Sequence, residues 1–178
     1  MFHKREKTAV FIDGKNTFSA AREISLHIDF GALRTEIMRS CNLLRISYYI
    51  LTQPNSEFDR SKAVSDWLEY NGFTVVQKEY REYTDFAGQK RLKGNISVDI
   101  AVDVLNITDH VDHIVLFSGD GDLSPVVQCL KRRGVRVTVV STLKTQHPSV
   151  SDNLRRVADH FIDLDDMREL IEKKLEPA

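Results

Sequence analysis

The chain has 178 residues, 42% of them hydrophobic and 29% charged, a balance that suits one globular domain with a full core. Its formal net charge is −1, so there is no global basic field, and any surface that meets nucleic acid has to be local. No apolar run approaches the ~20 residues of a membrane helix, the N-terminal MFHKREKTAV lacks the apolar segment of a secretory leader, and Cys41 and Cys129 form no CxxC pair. Together these features point to a cytoplasmic chain without membrane association, its thiols reduced.

Taken in chain order, residues 9–12 form a short strand that ends in the turn DGKN. Asp29 is placed to cap a helix over 30–41. RISYYIL at 45–51 is strand-like. Residues 55–70 follow as a helix with Ala63, Trp67 and Leu68 on one face, closed by Asn71-Gly72. A strand at 73–77 leads into the stretch 78–93, KEYREYTDFAGQKRLK, with a hairpin tip at Ala87-Gly88. A helix over 95–107, a strand at 114–117, a helix over 123–133 and a strand at 135–140 come next. A helix near 149–159, an extended HFIDL and a last helix over 165–175 complete the chain.

This alternation predicts an α/β fold: a three-layer α/β/α sandwich with a mostly parallel central sheet, in one domain with its core over about 8–164. The strands at 9–12, 114–117 and 135–140 are nearly all apolar, as expected of strands covered on both faces. In such sheets ligands bind beyond the carboxyl ends of the strands, where the strand order reverses. DGKN and SGDGD, the acidic turns after two of these strands, both fall on that edge.

Asp13 ends the first strand, and Asp120 and Asp122 end the later one. Asp99 lies in the apolar helix, where Asn95, Asp99, Asp103 and Asn106 make a narrow polar stripe. That stripe is expected to look into a cleft. Aspartates from separate segments, with no His or Cys cluster beside them, fit Mg²⁺ or Mn²⁺ better than zinc. Plain structural roles stand beside this reading. Asp13 is also a turn residue, Asp120 or Asp122 a natural helix cap, and Asp99 and Asp103 surface positions. In 78–93, Tyr80, Tyr83 and Phe86 are interleaved with Lys78, Arg81, Lys90, Arg91 and Lys93. That stretch is either a packed hairpin or a contact for single-stranded nucleic acid.

VFIDGKN at 10–16, KGNISVDIAVDVL at 93–105, LFSGDGDLSPVV at 116–127, GVRVTVV at 134–140 and SDNLRRVADHFIDL at 151–164 occur in that order. This series resembles the NYN domain, in its LabA-like branch, a relative of the PIN nucleases. The resemblance implies a PIN-like fold, with the first strand central and beside the strand that ends at Phe117. It also implies metal-dependent ribonuclease activity. Carried over by motif, Asp13, Asp99, Asp120 and Asp122 would be the catalytic metal ligands. By the same motifs Asn16 and Ser118 would stand on the substrate side, Ser118 orienting a ligand, and Lys93 would face phosphate; the residues' own pattern adds Arg91 on the substrate side and Asn95 and Asp103 as supports of the ligands. The expected activity is hydrolysis of single-stranded RNA with Mg²⁺ or Mn²⁺ and no covalent nucleophile. The alternatives are a non-catalytic RNA- or protein-binding module that keeps an acidic pocket, and a small nucleotide phosphohydrolase. The weak net charge leaves room for a homodimer with a shared basic groove.

Overall fold

A computed structural model describes residues 3–52, 60–84, 86 and 88–173, without the side chains of Arg60, Ser61 and residues 90–93. β1 (Lys7–Asp13) leads directly into α1 (Gly14–Glu23), and α2 (Phe30–Ser40) precedes β2 (Asn42–Thr52). α3 (Arg60–Tyr70) is followed by β3 (Thr74–Glu79) and by a hairpin of β4 (Arg81–Thr84) and β5 (Lys90–Lys93). The second half runs α4 (Ser97–Ile107), β6 (His113–Phe117), α5 (Ser124–Arg132), β7 (Arg136–Ser141), α6 (Asp152–Val157), β8 (His160–Asp163) and α7 (Arg168–Ile171).

Six strands form one sheet in the order β3-β2-β1-β6-β7-β8, and every pairing in it is parallel. The order reverses between β1 and β6, so the switch point falls between the strands that end at Asp13 and Phe117. Alternation along the strands divides the core in two. Phe11, Leu116 and Val139 pack with Ile100 and Val104 of α4, Leu130 of α5 and Leu154 of α6. Val10, Ile12, Phe117 and Val140 pack on the other face with Ala20 of α1, Leu33 and Ile37 of α2, Leu68 of α3 and Ile171 of α7. The three-layer expectation is met.

Several elements differ from the sequence reading. DGKN is the beginning of a ten-residue helix, α1, rather than a free turn. Its buried face is Gly14, Thr17, Ala20 and Ala21, all small, so it leaves little hydrophobic periodicity to read. Among the described side chains of α3, Ser65 and Leu68 are buried, whereas Ala63 and Trp67 are exposed. α4 begins at Ser97 rather than Asn95, because the Asn95 Oδ1 accepts the Ser97 N–H at 2.7 Å and turns the chain just before the helix. The last helix shrinks to a 3₁₀ turn (Leu164–Met167) and the single turn α7, where Asp163 caps by accepting from the Asp165 N–H. The parts of predicted helices at 55–59 and 174–175, and Ala87 of the predicted hairpin tip, lie outside the described residues. Among the described residues no helix is long and apolar enough to cross a membrane.

Candidate active site

β1 delivers Asp13 to the carboxyl edge of the sheet with 5% of its surface exposed. The residue closes the strand and caps α1, its Oδ1 accepting the Asn16 N–H at 3.1 Å. The N-terminus of α1, with its partial positive charge, therefore opens at this carboxylate. One strand over, β6 ends at Phe117, whose carbonyl accepts the Thr17 Oγ1 hydroxyl at 3.1 Å and ties α1 to the next turn. Ser118 then stands between two aspartates. Its Oγ donates to Asp13 Oδ2 at 3.3 Å and accepts the Asp120 N–H at 3.1 Å. Asn16 closes the ring, its Oδ1 accepting the Gly119 N–H at 2.7 Å.

Asp120 is fixed by both carboxylate oxygens. Oδ1 accepts the Asp122 N–H at 3.0 Å, and Oδ2 accepts the Ser97 hydroxyl from the first turn of α4. The residue that caps the SGDGD turn is thus Asp120, not Asp122. Asp13, Lys15, Asn16, Ser97 and Asp120 share a cleft of about 310 Å³ with Leu51 and Asn95 on its wall. Burial pushes the Asp13 carboxyl above the usual carboxylate range, and the neighbouring charge of Asp120 pushes it further against the lowering pull of Asn16 and Ser118. Burial and the charge of Asp13 push the Tyr48 phenol up to about 12.

The expected four-carboxylate cluster is not what the structure brings together. Among the described residues, no three acidic, His or Cys side chains are grouped to hold a metal ion; the cleft has the pair Asp13 and Asp120. Asp99 instead meets the Lys78 ammonium of β3 at 2.5 Å, and Asp103 accepts the Tyr49 hydroxyl of β2 at 2.8 Å. Asp99 and Asp103 of α4 therefore face β3 and β2, whereas Asn95, ahead of the helix, stays on the cleft wall. The cause is helical phase. Ser97 meets Asp120, and two residues later the helix has turned through about 200°, which carries Asp99 away. Asp122 is exposed and lines an adjoining groove with Val98, Val102 and Pro125. α4 is also less covered than its composition suggests, with Val98 and Val102 exposed. The side chains of Arg91 and Lys93 lie outside the described residues. Lys15 and Ser97 line the cleft without having been singled out from the sequence. Lys15 was legible as the one cation in DGKN, but nothing in KGNISVDI marks the serine over the aspartate.

A substitution tests this geometry. Ser97→Asp sets a third carboxylate against Asp120, with repulsion of about 1 to 4 kcal/mol for charges ~4 Å apart. In EDTA the variant should melt below the wild type, and Mn²⁺ should raise its melting temperature more than that of the wild type. Equal Mn²⁺ shifts in a thermal melt of the two proteins would count against a cation site here.

The NYN domain family model matches residues 7–165. The chain belongs to the NYN family. This NYN domain is 30% identical to the low amplitude and bright protein LabA of Synechococcus elongatus, over 99% of the chain and 94% of LabA. Among solved structures it is similar to a protein of unknown function from Vibrio parahaemolyticus. That match has a TM-score of 0.76 at 24% identity and covers 96% of this chain and 99% of the other. The latter likeness extends the α/β fold to a solved structure. The matched span of this NYN domain holds every residue of the Asp13–Asp120 cleft.

Proposed function

We propose that the cleft hydrolyses phosphodiester bonds of single-stranded RNA with the aid of Mg²⁺ or Mn²⁺, which Asp13 and Asp120 would hold. The observation that carries this is the pairing itself: two carboxylates at the ends of adjacent central strands, joined through Ser118, the more buried one held above its ordinary pKa. A cation relieves that repulsion. The oxygen donors on the cleft wall are the two carboxylates, the Ser97 hydroxyl and the Asn95 amide, a set that fits a hard divalent ion. Mg²⁺ commonly takes one or two protein carboxylates and completes its shell with water and substrate phosphate, so two aspartates suffice. When bound, the ion supplies Lewis-acid stabilisation of the charge that develops on the phosphoryl oxygens.

The protein groups have separate tasks. Lys15, exposed at the rim, attracts the phosphate. Asn16 and the Gly119 N–H lock α1 to the SGDGD turn, so the two carboxylates keep their spacing without substrate. Ser97 and the Asp122 N–H hold the Asp120 carboxylate in one orientation.

The test is incubation of the purified protein with single-stranded RNA in Mn²⁺, in Mg²⁺ and in EDTA. Internal cleavage that requires the cation is expected. Intact RNA in both cations would sink the nuclease reading. The second reading, an RNA-binding regulatory module, is favoured by one observation: Asp99 is spent on Lys78, which leaves the cleft with two carboxylates. Salt-dependent RNA binding without cleavage in either cation would select it.

A further inference from the structure

Tyr80 follows directly after β3, and its N–H donates to the Thr52 carbonyl at 2.9 Å. Backbone pairing with β2 therefore continues one residue past the strand and fixes where the ring emerges. The ring lies against the chain at Gly94, where a Cβ would come within 2.7 Å of it and within 3.0 Å of Leu51. Only a glycine admits the ring this closely. The Lys15 ammonium stands 5.9 Å from the ring centroid, within reach of a cation–π contact. Lys15, Leu51 and Gly94 all line the Asp13–Asp120 cleft. Tyr80 is thus an aromatic shelf at the edge of the acidic site.

The shelf continues outward. The β4–β5 hairpin stands apart from the main sheet as its own two-stranded ribbon. Tyr83 on it is 49% exposed and Phe86 fully exposed. Neither belongs to a core cluster. The register sets Arg81 opposite Lys93 and Tyr83 opposite Arg91, interleaving aromatic and basic positions. Protein-binding surfaces are depleted of lysine, whereas this stretch contains Lys90 and Lys93 besides Lys78, which pairs with Asp99. Single-stranded nucleic acid needs what is found here: cations for its backbone and π faces for its bases.

We propose that Tyr80, Tyr83 and Phe86 form a stacking path for the bases of a single-stranded RNA whose phosphodiester lies in the cleft. The proposal rests on the phosphodiester reading of that cleft. It assigns the rings to binding and the aspartates to chemistry.

The test is binding of a fluorescein-labelled oligouridine to the full chain, followed by anisotropy in EDTA so that no cleavage intervenes. Tyr83→Ala and Phe86→Ala should each weaken binding roughly 5- to 100-fold, the range for losing one stacked base. Tyr80→Leu should do the same and Tyr80→Phe should not, because stacking needs the ring and not the hydroxyl. Tyr70→Ala, on α3 and 92% exposed, should leave affinity unchanged. If Tyr80→Leu fails to fold, the two exposed hairpin positions still decide the question. Unchanged affinity in both hairpin variants overturns the proposal. So does an absence of oligouridine binding by the wild type, which would leave the hairpin to a protein partner. Failure of the nuclease reading is distinguishable: a protein that binds through its rings and never cuts loses the chemistry and keeps the path. A protein that cuts RNA but binds equally well without the rings does the reverse.

Discussion

Asp13→Asn should remove RNA cleavage while making the cation-free protein more stable. The two effects have one origin. Asp13 is nearly buried, its carboxyl is held above its normal range by that burial, and Asp120 adds like-charge repulsion through the shared Ser118. An asparagine of the same shape can still accept the Asn16 N–H, and its amide can face Asp120 as a donor. The folded state gains about 1 kcal/mol in EDTA, typical of relieving strain at a functional site. Cleavage should fall by at least about 10³-fold, because a cation-stabilised transition state loses several kcal/mol and each 1.4 kcal/mol is tenfold. Mn²⁺ should reverse the stability order. At the proposed cation site it would bind the folded wild type and stabilise it by mass action, whereas the variant has lost half of the acidic pair. Thermal melts with and without Mn²⁺, paired with a gel assay on single-stranded RNA, measure both. A variant that cuts at the wild-type rate would remove Asp13 from the chemistry. One that melts lower than wild type in EDTA would mean that its carboxylate contacts outweigh the repulsion.

The expectation for Asp13 was legible in the sequence, and the one for Asp99 was not, for a physical reason. Short apolar runs such as Ile114 to Phe117 identify buried strands by composition alone, and the acidic turn after a buried strand has only one edge of the sheet to occupy. The position of Asp13 and Asp120 follows from that. A helix is harder. Periodicity tells which residues share a face, and Asn95, Asp99 and Asp103 do follow one line, but nothing in the period says which way the line looks. That phase is set by where α4 starts. The start depends on the Asn95 side chain turning the chain at Ser97. The same limit applies to α1, whose buried face is built from small residues, and to α3, where a serine is buried and a tryptophan is not. In SGDGD either aspartate can cap. Asp120 does so because it directly precedes the 3₁₀ turn Gly121–Leu123, inside which Asp122 falls.

Gly119 is the other half of the SGDGD motif, and Gly119→Ala should be among the most damaging single-methyl changes in the chain. A Cβ at this position would lie 1.7 Å from the Ser149 carbonyl oxygen and 2.8 Å from the Val150 Cα. Both are backbone atoms, so no rotamer change relieves the overlap. The loop before α6 has to move, and it is held in place. The Ser151 N–H donates to the Gly119 carbonyl at 2.9 Å, and Val150 and Leu154 are buried behind it. Displacing it breaks that bond and uncovers apolar surface. The expected cost is about 3 kcal/mol or more, at the upper end for overpacking, read as a lower midpoint in urea unfolding. Gly121→Ala is the control. There the new methyl meets the Ser151 Oγ at 2.8 Å, the tip of a side chain that can rotate, and about 1 kcal/mol is expected. The ranking also bears on function. The Gly119 N–H holds Asn16 and the next residue is Asp120, so a shift of this backbone changes the spacing of the two carboxylates. Gly119→Ala protein that survives purification should therefore bind Mn²⁺ more weakly than Gly121→Ala protein. Equal midpoints for the two alanine variants would show that the 149–151 loop yields freely, and that the turn's geometry does not depend on it.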